Sequence, residues 1–315
     1  MPETLRSRPI IFAEIADAAL EYSRVEKASY RDDCSRMRRI VSRFGNCVAE
    51  SIRPEEFEQW LASEMRWTPA TKNRYIALIK LTYRLAERNG KVEENPARVL
   101  RMRKENNERV RYLGQYAADE DAKLRAVISA EWPEHMPEFE IALHTGMRRS
   151  EQYRMAWPDV DFGQRVLTVP QSKHGEKRHI GLNSAAIAML EFLRGQSEGQ
   201  GHVFLSMRTN QALQGNKHWF EAAVKRAGIR DFHWHDLRHT FGSRLAMAGV
   251  GLRTIQELMG HKTIQMTCRY AHLSPQHQLA AVEKLCDQRA TTDTITSTRH
   301  LSGESQSDAK LQQVN

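Results

Sequence analysis

Between residues 95 and 111 the chain runs through an Asn-Pro step and then Arg101, Arg103, Lys104, Glu105, Glu108 and Arg109. A proline after asparagine stops a helix, and a run this dense in charge does not pack into a core. The stretch therefore reads as a linker, and the 315 residues as two domains rather than one. The first covers residues 10–94, behind a basic arm at 1–9. The second covers residues 112–286. Residues 287–315, rich in Thr, Ser and Gln, read as a disordered polar tail.

The first domain is patterned for helices alone. Phe12, Ile15, Ala16, Ala19 and Leu20 recur at helical spacing. Met37, Ile40, Val41 and Phe44 do so across residues 29–44, with Gly45-Asn46 as a stop. Pro54 opens a third helix over 55–64, carrying Phe57, Trp60 and Leu61 on one side. Thr68 suits an N-cap and Pro69 a first helical position, so a fourth and longer helix runs to Asn89-Gly90. Its polar positions are lopsided: Arg66, Lys72, Arg74, Lys80, Arg84, Arg88 and Lys91 stand against Glu87, with Tyr75, Ile79 and Tyr83 as the buried stripe. Such a face is either simply solvated or a phosphate-contacting surface.

In the second domain, residues 119–130 and 139–145 read as helices, the latter stopped by Gly146, and a further helix runs toward Trp157. Residues 165–170 and 178–182 form a hairpin around a Gly-containing loop, Ser172 to Lys177. A helix over 183–193, a short strand at Val203-Phe204-Leu205 and a helix over 218–227 follow. Then come His235-Asp236-Leu237-Arg238, a helix, Gly260-His261, and Arg269-Tyr270-Ala271-His272. His235 and Arg238 share a helix face, and Leu237, Phe241 and Leu245 follow the apolar period. The fold class is mainly α with a small β-hairpin: an all-helical domain joined to a mixed, mostly α one.

Composition narrows the setting. A net charge of +8 is compatible with a nucleic-acid partner without requiring one. Four cysteines without a CxxC pair fit a reducing compartment. No apolar leader or bilayer-length run stands in the chain. A cytoplasmic, nucleoid-associated protein is the expectation.

The second domain's polar residues suit phosphodiester chemistry. Negative charge accumulates on the non-bridging oxygens in the transition state, and arginine meets it with a forked, permanently charged donor. Arg148 and Arg238 are the candidates, and such electrostatic stabilisation is commonly the largest catalytic contribution. Lys173, on the hairpin loop, can donate a proton to the leaving oxygen. Tyr270 can attack if neighbouring cations favour its phenolate. Glu151 partners Arg148 in part, and His261 is either a site residue or a helix C-cap. The chemistry requires no metal and no cofactor.

Thr145-Gly146-Met147-Arg148-Arg149-Ser150-Glu151, Ser172-Lys173-His174-Gly175, His235-Asp236-Leu237-Arg238-His239-Thr240, Leu258-Met259-Gly260-His261 and Thr267-Cys268-Arg269-Tyr270-Ala271-His272-Leu273 together resemble, in order, the boxes of the tyrosine recombinases, the phage integrase family. The resemblance implies a site-specific recombinase or integrase of a bacterium, phage or mobile element, made of a core-binding and a catalytic domain that clamp duplex DNA. Tyr270 would form a 3′-phosphotyrosine and free a 5′-hydroxyl. Arg148 and Arg238 would clamp the phosphate, and Lys173 would protonate the 5′-oxygen. His235 would assist proton transfer at the tyrosine, and His261 would hydrogen-bond a phosphate oxygen. The covalent bond conserves the phosphodiester's energy, so rejoining needs no ATP. The implied partners are inverted-repeat core sites bound by a tetramer that is monomeric or weakly associated when free, with possible accessory DNA-bending proteins. Lys72, Arg74, Lys80, Arg84, Arg101 and Arg103 become the expected DNA-binding set. The box departs from the family at Gln152-Tyr153, where Glu-Leu is common after the first arginine, and no arm-type module is expected before residue 10. Residues 275–285 suit either docking on a neighbouring protomer or an intramolecular helix.

Three other readings use the same residues. His233, His235, His239 and His261 could bind zinc, although an arginine inside the motif disfavours a cation. Residues 252–270 could be the helix-turn-helix of a regulator without catalysis, which leaves Arg148 and Lys173 idle. A type IB topoisomerase uses a closely similar residue set.

Overall fold

The computed structural model describes residues 8–106, 109–170, 177–197, 199–206, 209, 211–213, 215, 218–273, 282–283 and 286. The chain divides into two compact units, Met1–Asn107 and Glu108–Asn315.

The first unit holds α1 (Phe12–Glu26), α2 (Tyr30–Phe44), α3 (Pro54–Ser63) and α4 (Pro69–Arg88). Phe12, Phe44, Phe57 and Tyr83 converge at its centre, with the Phe44 and Phe57 rings 4.7 Å apart. Tyr83 is buried and donates its hydroxyl to the Ala49 carbonyl at 2.8 Å, which satisfies the one polar atom it brings inside. The Thr68 hydroxyl caps α4 by accepting from Thr71 N at 3.2 Å. α4 is the central helix: Ile76, Leu78, Leu81, Leu85 and Ala86 are buried as well as Tyr75, Ile79 and Tyr83. Of its basic residues, Arg74, Arg84 and Arg88 are exposed, whereas Lys72 and Lys80 are half-buried.

The charged stretch after α4 is held rather than loose. Ala97 and Leu100 are buried in the first core. The Asn73 amide pairs with residue 103, donating to its carbonyl at 2.8 Å and accepting from its N–H at 2.7 Å. Ala97 and Leu100 turn inward, while Val99 and Met102 stay exposed. Residues 109–111 belong instead to the second unit, where Arg111 is buried on Glu120.

The second unit comprises α5 (Glu120–Glu131), α6 (Met136–Thr145), α7 (Arg149–Gln152), β1 (Val160–Asp161), β2 (Val166–Val169), β3 (Arg178–Gly181), α8 (Ser184–Gly195), α9 (His218–Arg226), α10 (Trp234–Met247), α11 (Leu252–Met259) and α12 (Gln265–Cys268). The expected hairpin is present, and β1 adds a third antiparallel strand, with Val160 opposite Leu167 and Leu167 opposite Ile180. Leu167, Val169 and Ile180 alternate inward, as a half-buried sheet requires. Two local expectations fail. The helix toward Trp157 stops after one turn at Gln152, and Val203-Phe204-Leu205 makes isolated backbone bridges instead of a strand. Their apolar residues are buried, but as parts of an irregular layer over Tyr153 and Met155. Among the described residues no helix is long and apolar enough to cross a membrane.

Candidate active site

α10 carries the centre of the site. Its start is fixed by Asp236, whose carboxylate accepts from the His233 N–H at 2.8 Å and from Arg109 Nη1 at 3.0 Å. The helix packs against α6, α11 and the turn Ala271–Leu273. Leu237 is buried as its apolar period predicts, and Phe241 and Leu245 are half-buried against a smaller cluster; the expected polar pair divides, with His235 exposed and Arg238 buried beside His239, Thr240 and Ser243. Arg238 and His239 look inward because that is where the rest of the site stands.

Arg238 is 4% exposed and donates to the Gly146 carbonyl at 2.6 Å and to the Met259 carbonyl. These carbonyls close α6 and α11, and each helix ends in a left-handed glycine, Gly146 at φ 59° and Gly260 at φ 60°. A helix C-terminus is the negative end of its dipole, so a guanidinium suits it. Arg148 reaches the same place from the start of α7, donating to the Gly260 carbonyl at 3.2 Å and to Glu151 Oε1 at 2.9 Å. From β3, Arg178 holds both oxygens of Glu151, at 3.0 and 2.7 Å.

One carboxylate thus pairs with two guanidinium groups, and the third, Arg238, is held by carbonyls. Burial alone would raise the Glu151 pKa. Hydrogen bonds and charge from Arg178, then from Arg148, override it and hold the acid near 2. Burial, then Arg148 and Arg178, lower Arg238 to about 9, so it remains charged at neutral pH. Among the described residues Arg238 makes no ion pair. The excess positive charge is a place for an anion.

Tyr270, 0% exposed, lies against this cluster. Its ring is parallel to that of His261, at 7° with centroids 6.5 Å apart. It also lies over Gly242, where a Cβ would come within 2.9 Å of Cζ. The tyrosine hydroxyl meets His239 Nδ1 at 2.8 Å. His235 is not in that contact; it faces solvent, with its ring edge-on to His239 at 5.1 Å. His261 Nδ1 lies 2.9 Å from the Thr267 hydroxyl. Burial raises Tyr270 to about 12, with Arg238 and Arg269 pulling the other way. Burial first, and then neighbouring cations, lower His261 to about 3 and His235 below its ordinary value. The phenol is protonated and both imidazoles are neutral near pH 7.

A cleft of about 460 Å³ opens beside Arg148 and His235, lined also by Arg149, Ser150, Phe220, Glu221, His233 and Trp234. It gives solvent access to the two residues.

Five of the six expected catalytic residues therefore come together: Arg148, His235, Arg238, His261 and Tyr270. Lys173 lies outside the described residues. Tyr153, a chemical rival to Tyr270, is buried and donates to Glu138 at 2.7 Å, and its pKa is driven up first by burial and then by that carboxylate. Of the expected DNA-binding residues, Arg74, Arg84 and Arg101 are exposed. Lys80 donates to the Arg98 carbonyl at 3.2 Å, and Arg103 pairs with Glu58 at 3.0 Å. Sequence reasoning passed over Arg178, and weighed His239 only as a possible zinc ligand. The signal for His239 was available: it stands four residues after His235 and three before Gly242, on one helix face. Nothing local marks Arg178, whose place depends on how the sheet packs against α11.

The sequence profile described as the phage integrase family matches residues 107–277, the stretch that builds this site. The integrase of Salmonella phage P22 is 33% identical over 226 residues, covering 66% of this chain and 55% of that protein. The chain thus spans little more than half the length of that relative. Tyrosine recombinase XerC of Oceanobacillus iheyensis is 26% identical over 288 residues, covering 85% of this chain and 94% of that one. A lambda integrase tetramer bound to a Holliday junction has the same fold, with a TM-score of 0.71 at 21% identity over 86% of this chain and 80% of that one. With the profile matched over more than half of its length, and with the buried arginines, histidine and tyrosine inside the matched stretch, the chain belongs to the phage integrase family of tyrosine recombinases.

Proposed function

We propose that this chain is a site-specific DNA recombinase that cuts and rejoins duplex DNA through a 3′-phosphotyrosine at Tyr270. The observation that carries the reading is the cluster of Arg148 and Arg238, anchored to the adjacent carbonyls of Gly260 and Met259, with Tyr270 packed beside it. A phosphate there would meet two charged forks in a site largely closed to water, where electrostatic stabilisation is strongest. Tyr270 attacks phosphorus, and the 5′-oxygen leaves with a proton from Lys173. His261 donates to a phosphate oxygen, and His235 assists proton transfer at the tyrosine. The names of the relatives support recombination and integration, and lend nothing to a topoisomerase or a non-catalytic regulator.

The wider assembly follows the same reading. Four protomers pair two inverted-repeat core sites, as the tetrameric lambda relative suggests, with accessory DNA-bending proteins as further partners. Lys72, Arg74, Lys80, Arg84, Arg101 and Arg103 contact the duplex backbone. The protein acts in the bacterial cytoplasm, on the nucleoid.

The test is a covalent adduct. Duplexes bound by the protein are selected from random-sequence DNA, rebuilt with a nick that traps cleavage, and incubated with wild type and Tyr270→Phe. Wild type forms a denaturation-resistant protein–DNA species. The variant binds the same DNA within about threefold and forms none, since one hydroxyl adds little to an interface dominated by phosphate contacts. An adduct in the variant would move the nucleophile elsewhere.

A further inference from the structure

We infer that His239 is the group that accepts the Tyr270 proton during attack, and so belongs to the catalytic residues. This deepens the recombinase reading and rests on it.

The argument begins with access. Tyr270 is 0% exposed and His239 is 8% exposed. Water does not reach the hydroxyl, and among the described residues its one hydrogen-bond partner is His239 Nδ1 at 2.8 Å. A general base must lie within hydrogen-bond reach of the proton it takes, and this is the side chain that does. The contact is built in. Gly242 lies one turn after His239 on α10, and its lack of a side chain lets the tyrosine ring rest on the helix. A Cβ there would stand 2.9 Å from Cζ and 2.8 Å from Met259 Sδ. The parallel His261 ring closes the other side. Held this way, the phenol directs its oxygen back along α10 to position 239.

The protonation states are the required ones. His239 faces His235, Arg238 and Asp236 on its own helix, Arg269 beside the tyrosine, and His261 beyond α11. Burial first, then His235, lowers it to about 4, with Asp236 opposing. It is therefore neutral at pH 7, and because the phenol is protonated, Nδ1 is the acceptor and the ring proton sits on Nε2. A phosphate anion bound by Arg148 and Arg238 offsets the cations that disfavour the imidazolium and makes His239 a stronger base when substrate is present. In the step itself the Oη–P bond forms and the P–O5′ bond breaks. The phenolic proton passes to Nδ1, and the 5′-oxygen takes its proton from the acid of the site. Rejoining runs the same transfers backward. His235, edge-on to His239 and open to solvent, stands where that proton can exchange with water.

The experiment uses the full chain and the nicked duplex described above, in two versions: one with the natural 5′-oxygen, one with sulfur at that position, whose thiolate leaves without a proton. His239→Ala and His239→Gln are compared with wild type for adduct rate from pH 6 to 10. Both variants should bind DNA within about threefold of wild type and cleave at least ~100-fold more slowly at pH 7, the ordinary worth of a general base. The deficit should persist on the sulfur substrate, because the missing group acts on the nucleophile. The variants' rates should climb steeply to pH 10, as the tyrosine supplies its own phenolate, while wild type levels off. Cleavage within threefold of wild type, rescue by the sulfur substrate, or a deficit independent of pH in folded variants would each overturn the assignment. Absence of an adduct with wild type would instead overturn the recombinase reading.

Discussion

Replacing Glu151 with glutamine removes the one carboxylate shared by Arg148 and Arg178 while keeping its shape. The stability it contributes follows from its titration. Glu151 has a folded pKa of about 2 against an ordinary 4.5, a gap of about 2.5 units. At about 1.4 kcal/mol per unit, the ionised form contributes on the order of 3 kcal/mol at neutral pH. The side chain is 5% exposed, so solvent screening removes little of this. Because the folded pKa lies below the unfolded one, the contribution is complete above about pH 4.5 and is lost as the pH falls toward 2. Linkage leaves about 1 kcal/mol at pH 3 and well under that at pH 2. The glutamine variant mimics the protonated acid and should differ from wild type by these amounts. The assay is urea denaturation followed by pulsed hydrogen exchange at the amides of α6 and α10, which reports the second unit alone. Equal stability at pH 7, or a gap that does not close in acid, would refute the reasoning. Adduct formation should fall as well, because Arg148 loses the partner that orients its fork.

Gly242→Ala should cost between about zero and 2 kcal/mol of stability, because a helix-propensity gain of about 1 kcal/mol offsets only part of an overpacking cost of roughly 1–3 kcal/mol. It should also slow adduct formation, because the new Cβ displaces the Tyr270 ring; a folded variant with wild-type adduct rate would sink the packing argument. Tyr153→Phe should cost about 1–2 kcal/mol, since Glu138 loses a hydrogen bond, and should retain the adduct in the nicked-duplex assay. If about 8 phosphates are neutralised per protomer, log affinity should fall against log salt with a slope near −7 in a filter-binding titration. A flat response would remove the basic residues from the DNA surface.

Most helices were legible because they follow from local rules: Thr68 as a cap, and apolar periods such as Met37, Ile40 and Phe44. What was not legible depends on packing at a distance. α4 reads as an amphipathic helix with a basic face, but α1, α2 and the Pro96–Val99 turn pack on it, half of its residues are buried, and Lys72 and Lys80 are half-buried where Arg74, Arg84 and Arg88 are exposed. α10 reads as apolar stripe against polar pair, but the pair divides: Leu237 and Arg238 are both buried, and His235 alone of the pair stays exposed. Arg178 carries no sequence mark, because its role exists only once β3 lies beside the end of α11. The chemistry itself was more readable than its geometry: residue types and order pointed to a phosphodiester, while the partner of the tyrosine hydroxyl had to be seen.

The glycines show why structural and functional readings of a residue need not compete. Gly146 and Gly260 can each be read as a helix stop or as part of a site, and the structure makes these one role. A positive φ ends each helix, and ending it presents a free carbonyl to Arg238 or Arg148. A side chain at Gly146 would come within 2.3 Å of Phe241, and one at Gly260 within 2.6 Å of Arg178. Either would move a helix end and the guanidinium fixed to it. The phosphate clamp is therefore set by backbone as much as by arginine. Arg238 ties the ends of α6 and α11 together, so replacing it removes a charge and also releases two helix termini. Lysine would restore the charge but not the two-pronged tie, and should recover binding before it recovers cleavage.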